Sequence, residues 1–371
     1  MDTAARRYMQ RALTLAKKGV GRTAPNPAVG CVVVRDGVIV GEGWHRRAGT
    51  PHAEVHALAM AAEKAHGSDV YVTLEPCSHT GRTPPCCDAL LAAGVARVFV
   101  GMIDPNPQVA GRGIARLQQA NVSVFVGLLE DRCRALNPGF IKQMTTGLPY
   151  VLYKAALTLD GFTATVAHDS RWVSGPSARR EVHRLRNQLD AVMVGVDTVV
   201  HDNPQLTVRD CRGRNPWRIV VDSQLRTPVT SKIVTDNMAV KTIFVTTVTD
   251  PVRVAGVTRH GAQVMTVQAN ACGQVSLEIM LRALAMRGIS SILCEGGATL
   301  AGALLEAGLI DCCLFFTAPK LLFDGQPAFR LPGVGRMADA WTGQITSLKM
   351  LDGDIMVQFI PKAGGSQCSR D

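Results

Sequence analysis

Pro51-His52-Ala53-Glu54-Val55, then Thr73-Leu74-Glu75-Pro76-Cys77, then Pro84-Pro85-Cys86-Cys87: this broken stretch decides how the first half of the chain folds. Val55, Leu58, Ala59 and Ala62 recur at helical spacing and stop at Gly67, so a helix is predicted over 53–65 with His52 at its start. Residues 70–74 read as a strand that delivers Cys77, and 86–93 as a helix with Pro85 near its first turn and Gly94 beyond its end. One imidazole and two thiolates suit tetrahedral zinc with a fourth position open to water, the mark of a catalytic rather than a structural site. Helix starts at His52 and Cys86 favour thiolate over thiol. His52, Cys77 and Cys86 are therefore the candidate metal ligands. Cys87 competes with Cys86, which is preferred because it follows Pro85 as Cys77 follows Pro76. Glu54 is the candidate proton carrier. On a regular helix His52 and Glu54 would point ~200° apart, so the pair requires His52 to sit in an irregular first turn after Pro51.

Moving outward, a helix over 4–18, a strand over 29–34, the turn Asp36-Gly37 with a return through 38–40, a strand over 97–102, a helix over 114–120 and a strand over 122–126 make a layered α/β domain. Thr145-Thr146-Gly147-Leu148-Pro149 interrupts the alternation. Domains are accordingly drawn at 1–146 and 147–362, with the small, polar residues 363–371 expected to form a disordered tail. In the second domain, strands are predicted over 151–156, 190–196, 218–222, 241–247, 289–294 and 311–318, with helices over 177–187, 276–287 and 298–307. There is no Gly-x-Gly-x-x-Gly. Glu295-Gly296-Gly297-Ala298-Thr299-Leu300 instead lies between a strand and a helix, where backbone N–H groups can meet a phosphate.

With 371 residues, 47% of them hydrophobic, the chain can bury two cores. A net charge of +10 spread without a basic block suits a phosphorylated small molecule better than a nucleic-acid track. Aromatic residues make up only 5% and are dispersed, against a base-stacking groove for RNA. The eleven cysteines include the adjacent pairs Cys86-Cys87 and Cys312-Cys313, a poor layout for disulfides. No apolar run approaches a membrane span. A reduced, cytoplasmic protein with no nucleic-acid or membrane partner is predicted. His-x-Glu followed by Pro-Cys is the signature of zinc deaminases, but here eight residues rather than two separate the cysteines. A purely structural zinc module would want a fourth ligand, and Cys87 is its near candidate.

Further motifs follow in order: Ala24-Pro25-Asn26-Pro27-Ala28-Val29-Gly30, Asp104-Pro105-Asn106-Pro107 with Gly111-Arg112-Gly113, Leu159-Asp160-Gly161, Asp202-Asn203-Pro204 with Leu206 to Arg209, and Glu295-Gly296-Gly297. Together with His52-Ala53-Glu54 and the run from Thr73 to Cys86, they make the chain, over about residues 3–361, resemble the bacterial bifunctional deaminase–reductase family of riboflavin biosynthesis. The long spacing between the cysteines is that family's own form. The resemblance implies a cytidine-deaminase-like N-terminal domain and a dihydrofolate-reductase-like C-terminal domain. It implies zinc-dependent deamination of 2,5-diamino-6-(5-phosphoribosylamino)pyrimidin-4(3H)-one to 5-amino-6-(5-phosphoribosylamino)uracil, then NADPH-dependent reduction of the ribosyl to the ribityl group. A homo-oligomer formed through the reductase domain is also implied.

The same resemblance puts Asn26, His45 and His79 around the deaminase substrate, with Arg82 and Arg112 as phosphate contacts. It puts Ala156, Trp172, Thr198, Asp202, Ser223 and the run Gly297, Ala298, Thr299, Leu300, Ala301, Gly302, Ala303 against the cofactor. Ser170, Arg186, Leu206, Arg209 and Glu295 fall to the reductase substrate. Arg186 and Arg209 suit phosphate clamps. Lys154 and Asp202, read as lying near strand ends, are candidates to polarise or protonate the sugar as hydride arrives. Thr158 and Cys312 depart from the family's usual residues, and neither is a proposed contact.

Overall fold

The computed structural model describes residues 3–79, 84–107 and 109–362; Arg82 and the expected tail over 363–371 lie outside them. The chain divides into two compact units, Met1–Leu148 and Pro149–Asp371. In the first, α1 (Thr3–Ala16), α2 (Ala53–Ala61), α3 (Cys86–Ala92), α4 (Arg112–Gln119), α5 (Glu130–Arg134) and α6 (Pro138–Thr146) accompany one sheet. Its strands are β1 (Gly30–Arg35), β2 (Val38–Trp44), β3 (Asp69–Val72), β4 (Arg97–Val100) and β5 (Ser123–Val126), in the order β2-β1-β3-β4-β5. β1 runs antiparallel to β2 and β3, while β3, β4 and β5 are parallel. Gly30 to Val34 is buried at every position, so both faces of the sheet are covered.

Asp36 and Gly37 both take positive φ (51° and 76°), the left-handed pair that a tight hairpin needs. β2 continues to Trp44, beyond the expected 38–40, and carries Gly41 and Gly43. A Cβ on either glycine would collide with a carbonyl of α2, that of Ala57 or Ala53. Their bare backbone lets α2 lie directly on the sheet and so seats its first turn. α2 ends sooner than predicted because Ala62 adopts φ 49°, and one turn of tighter helix (Ala62–Ala65) follows. α6 was not predicted. It runs into the expected linker and is stopped by Gly147 at φ 73°.

The second unit contains β6 (Tyr150–Thr158), β7 (Phe162–Ala164), β8 (Ala191–Gly195), β9 (Trp217–Val221), β10 (Thr242–Thr246), β11 (Gln263–Thr266), β12 (Ser291–Cys294), β13 (Cys312–Ala318), β14 (Gln326–Pro327), β15 (Gly343–Leu351) and β16 (Asp354–Pro361). Its helices are α7 (Pro176–Gln188), α8 (Val196–Asp202), α9 (Lys232–Thr235), α10 (Pro251–Thr258), α11 (Leu277–Met286) and α12 (Ala298–Glu306). Nine strands form one sheet in the order β11-β10-β9-β8-β12-β6-β13-β16-β15, and β7 pairs with β14 apart from it. The strands from β11 to β13 are parallel, and the β15–β16 hairpin closes one edge antiparallel. That hairpin was not predicted, although Asp352-Gly353 (φ 49° and 100°) repeats the signal of Asp36-Gly37. β15 is exposed from Gln344 to Met350, so no buried face imposes a period on its sequence. Among the described residues no helix is long and apolar enough to cross a membrane.

Candidate active sites

His52 precedes α2 in an extended conformation (φ −74°, ψ 171°), so it escapes the helical step that would have turned it away from Glu54. Its Nδ1 lies 3.2 Å from Cys86 Sγ and 3.6 Å from Cys77 Sγ, and the Cys86 N–H donates to Cys77 Sγ at 3.2 Å. All three ligand atoms lie within 4.8 Å of one another, the one such cluster among the described residues. Separations of 3.2 and 3.6 Å match the edges of a tetrahedron with zinc bonds of about 2.0–2.3 Å. Cys87 turns the other way: its thiol reaches the carbonyls of Pro76 (3.4 Å) and Gly113 (3.6 Å).

The electrostatics suit a bound cation. A hydrogen bond with Cys86, helped by His52, pushes the Cys77 thiol down, while the same contact and burial push Cys86 up. Two thiols this close cannot both ionise without a positive charge between them, and the nitrogen–sulfur–sulfur donor set is zinc's own. Glu54, in the first turn of α2, is 3% exposed. Burial, then the Cys77 charge, raises its pKa to about 7. Its carboxyl also meets the Cys86 thiol.

The structure brings Asn26 and His45 to this cluster. Asn26 Nδ2 lies 3.4 Å from His45 Nε2, and the His45 and His52 rings meet edge-on at 5.2 Å. Asn137 holds the segment by accepting from the Ala28 N–H (2.8 Å) and donating to its carbonyl (2.9 Å). His79 and Arg112 are exposed. Sequence reasoning missed Glu75. Its buried carboxylate accepts from the N–H groups of Asp104 (3.1 Å), Gly111 (3.0 Å), Gly113 (2.9 Å) and Ile114 (3.3 Å). It thereby ties Asp104 and the start of α4 to the segment after β3 that carries Cys77. An acid inside the apolar run Thr73-Leu74-Glu75-Pro76 was the available signal.

The second unit has a cavity of about 1290 Å3. Lys154, Ser170, Arg186, Leu206, Arg209 and Glu295 line it, as do Ala156, Trp172, Thr198, Asp202 and Ser223. From the run Gly297 to Ala303, Gly297, Ala298, Thr299, Leu300 and Ala303 reach it. Ala301 and Gly302 do not: Ala301 is wholly buried, and a Cβ on Gly302 would meet the Arg330 backbone at 2.5–3.3 Å. A helix cannot present seven consecutive residues to one ligand at 3.6 per turn. The Gly297 N–H donates to Thr198 Oγ1 (3.2 Å), which fixes the turn that opens α12. An open cavity with a glycine turn at a helix start fits a dinucleotide phosphate.

Arg186, suited by its sequence to a phosphate clamp, holds a protein carboxylate in the structure. Its guanidinium grips Glu295 through Nε (2.6 Å) and Nη2 (2.8 Å), and Nη1 donates to the Thr207 carbonyl (2.9 Å). The two side chains are 11% and 10% exposed. Burial raises the Glu295 pKa, but Arg186 wins and holds it below the usual range. Lys154 is mid-strand in β6, not near a strand end, and burial lowers its pKa against the pull of Glu295. Asp202 is likewise not at a strand end. It closes α8, where burial raises its pKa against Arg171, His201 and His168. Arg209 is exposed, its N–H donating to His183 Nδ1 (3.2 Å).

Residues 2–102 match the cytidine and deoxycytidylate deaminase zinc-binding region, and residues 149–351 match the RibD C-terminal domain. The riboflavin biosynthesis protein RibD of Escherichia coli K12 is 46% identical over 95% of this chain and 98% of its own length. An Acinetobacter baumannii RibD structure superposes with a TM-score of 0.88 at 39% identity, covering 97% of this chain and 99% of that one. A Thermotoga maritima structure described as a diaminohydroxyphosphoribosylaminopyrimidine deaminase/5-amino-6-(5-phosphoribosylamino)uracil reductase gives 0.85 at 35% identity, covering 97% and 99%. The chain, with a cytidine-deaminase-like unit ahead of a reductase unit, belongs to the RibD family of riboflavin biosynthesis proteins.

Proposed function

We propose that residues 1–148 deaminate the 2,5-diaminopyrimidine ribosyl phosphate to the aminouracil, and that residues 149–362 reduce its ribosyl group to ribityl with NADPH. The observation that carries this is the His52–Cys77–Cys86 donor set with buried Glu54 against it. Zinc bound there supplies the Lewis acidity that makes water a nucleophile near neutral pH. Glu54 takes a proton from the attacking water and returns it to the leaving amine, a task its buried carboxyl beside the donor set supports. Asn26 and His45, held by Asn137 and by each other, orient the pyrimidine.

NADPH supplies the hydride in the second unit. The Arg186–Glu295 pair forms a rigid polar wall to the substrate, and exposed Arg209 takes its phosphate. Lys154, its pKa lowered, gives a proton to the sugar oxygen; Asp202 is the second candidate donor. Ile345, Leu348 and Met350 are 63%, 64% and 59% exposed on edge strand β15, which supports pairing with a second copy. A cytoplasmic setting without nucleic-acid or membrane partners completes the proposal. Stripping the metal with a chelator is expected to stop ammonia release, and zinc to restore it. Ammonia release that persists in metal-free protein would refute the proposal.

A further inference from the structure

We propose that His183 is a positioning residue for the phosphate end of the reductase substrate: as the neutral imidazole with its proton on Nε2, it holds the backbone of Arg209 and so aims that guanidinium. The proposal rests on the reading of Arg209 as the phosphate contact. Residues 205–209 lie outside the strands, so no sheet ladder fixes their backbone. Side chains hold it instead. The Gln205 carbonyl accepts from Arg218 (3.1 Å) and the Thr207 carbonyl from Arg186 (2.9 Å). The Val208 N–H donates to Asn215 Oδ1 (2.8 Å) and the Arg209 N–H to His183 Nδ1 (3.2 Å). His183 and Arg186 stand one turn apart on α7, so one helix face grips the segment at Thr207 and again at Arg209.

The hydrogen bonds fix the tautomer. A backbone N–H can only donate, so Nδ1 accepts and the ring proton sits on Nε2, which faces Asp210 Oδ2 at 3.4 Å. A second proton, on Nδ1, would set donor against donor and release Arg209. The charged groups around the buried ring are Arg186 on its own helix, Arg209 and Asp210 on the facing segment, and Glu295 after β12. Burial, Arg186 and Arg209 keep the ring neutral against the pull of Asp210 and Glu295. The Arg209 guanidinium itself rests on neutral oxygens, Gln205 Oε1 (3.1 Å) and Thr207 Oγ1 (3.3 Å), which leaves its charge for a phosphate. A long side chain loses less freedom on binding when its stem is already fixed.

NADPH oxidation by the full chain tests this with two probes, 5-amino-6-(5-phosphoribosylamino)uracil and its dephosphorylated riboside. At about pH 8, where the wild-type ring is neutral, His183→Leu should raise KM for the phosphate roughly 5- to 20-fold. Its kcat should stay within about twofold, and KM for the riboside should not move. His183→Asn, whose Oδ1 can stand where Nδ1 does, should recover most of the loss. Toward about pH 5 the wild-type KM for the phosphate should climb above that of His183→Asn, which has no ring to protonate. KM rising alike for both probes, a fall in kcat alone, or a wild-type to His183→Asn ratio that stays flat with pH would overturn the inference. If His183→Leu does not fold, the pH ratio decides. Arg209→Ala that weakens phosphate and riboside equally would overturn the phosphate reading with it.

Discussion

The two sites are built on different principles. The first gathers His52, Glu54, Cys77 and Cys86 within one short stretch, at the starts of two helices and the end of the intervening strand. The second draws its lining from Tyr153 to Arg330, wherever the strands of a large, mainly parallel sheet and the segments after them come together. A site made by local turns leaves a spacing in the sequence. A site made by strand order leaves none, because its neighbours are set by topology and not by distance along the chain.

Glu54→Gln should separate the sites most sharply. Ammonia release is expected to fall by about 10²–10⁴-fold, while NADPH oxidation on the deaminated substrate stays at wild-type rate. A matching loss in the second activity would mean that the sites are not independent. Next in size, Cys77→Ser and Cys86→Ser should each lose bound zinc, measured by elemental analysis, whereas Cys87→Ser should keep it, because its thiol points at Pro76 and Gly113.

The second site should break differently. Arg186→Met strands buried Glu295, which is expected to cost about 3–5 kcal/mol in denaturant unfolding of the second unit. Adding Glu295→Gln should recover much of that. Gly113→Ala probes the support beneath the first site, since its Cβ would collide with the Pro76 carbonyl. A loss of about 1–3 kcal/mol with lower zinc occupancy is expected.

The smallest effect concerns pH. Burial, then Arg186 and Arg209, lowers the His183 pKa, while Asp210 and Glu295 oppose. The folded state then binds fewer protons than the unfolded state between that lowered value and about 6.5. Stability should therefore rise with pH across this window and level off above it. His183→Asn should flatten the slope in thermal melts. An unchanged slope would remove His183 from the account.

Legibility followed the same division. His52 and Glu54 were readable because Pro51 and the apolar spacing after them mark a helix start. Cys86 was preferred over Cys87 from its place after Pro85; the geometric ground needed the fold, since adjacent residues differ only in which way the first turn of α3 points them. The β15–β16 hairpin escaped because β15, exposed over 344–350, has no buried face to impose an alternation, although Asp352-Gly353 announced its turn. Arg186 read only as a phosphate clamp because Glu295, its partner in the structure, lies 109 residues away. Arg218 was passed over altogether. It is fully buried, holds Asp236 at 2.7 Å, and donates to the Gln205 carbonyl (3.1 Å) beneath the segment that carries Leu206 and Arg209.

The central claim is that one chain carries a metal-dependent deaminase and a separate reductase acting in that order. The direct test starts one preparation from the diaminopyrimidine ribosyl phosphate and follows ammonia and NADPH together, with and without a zinc chelator. Ammonia should appear before NADPH is consumed, and the chelator should stop both. Started from the aminouracil instead, NADPH consumption should continue despite the chelator. NADPH consumption from the diamino substrate with no ammonia released would contradict the account.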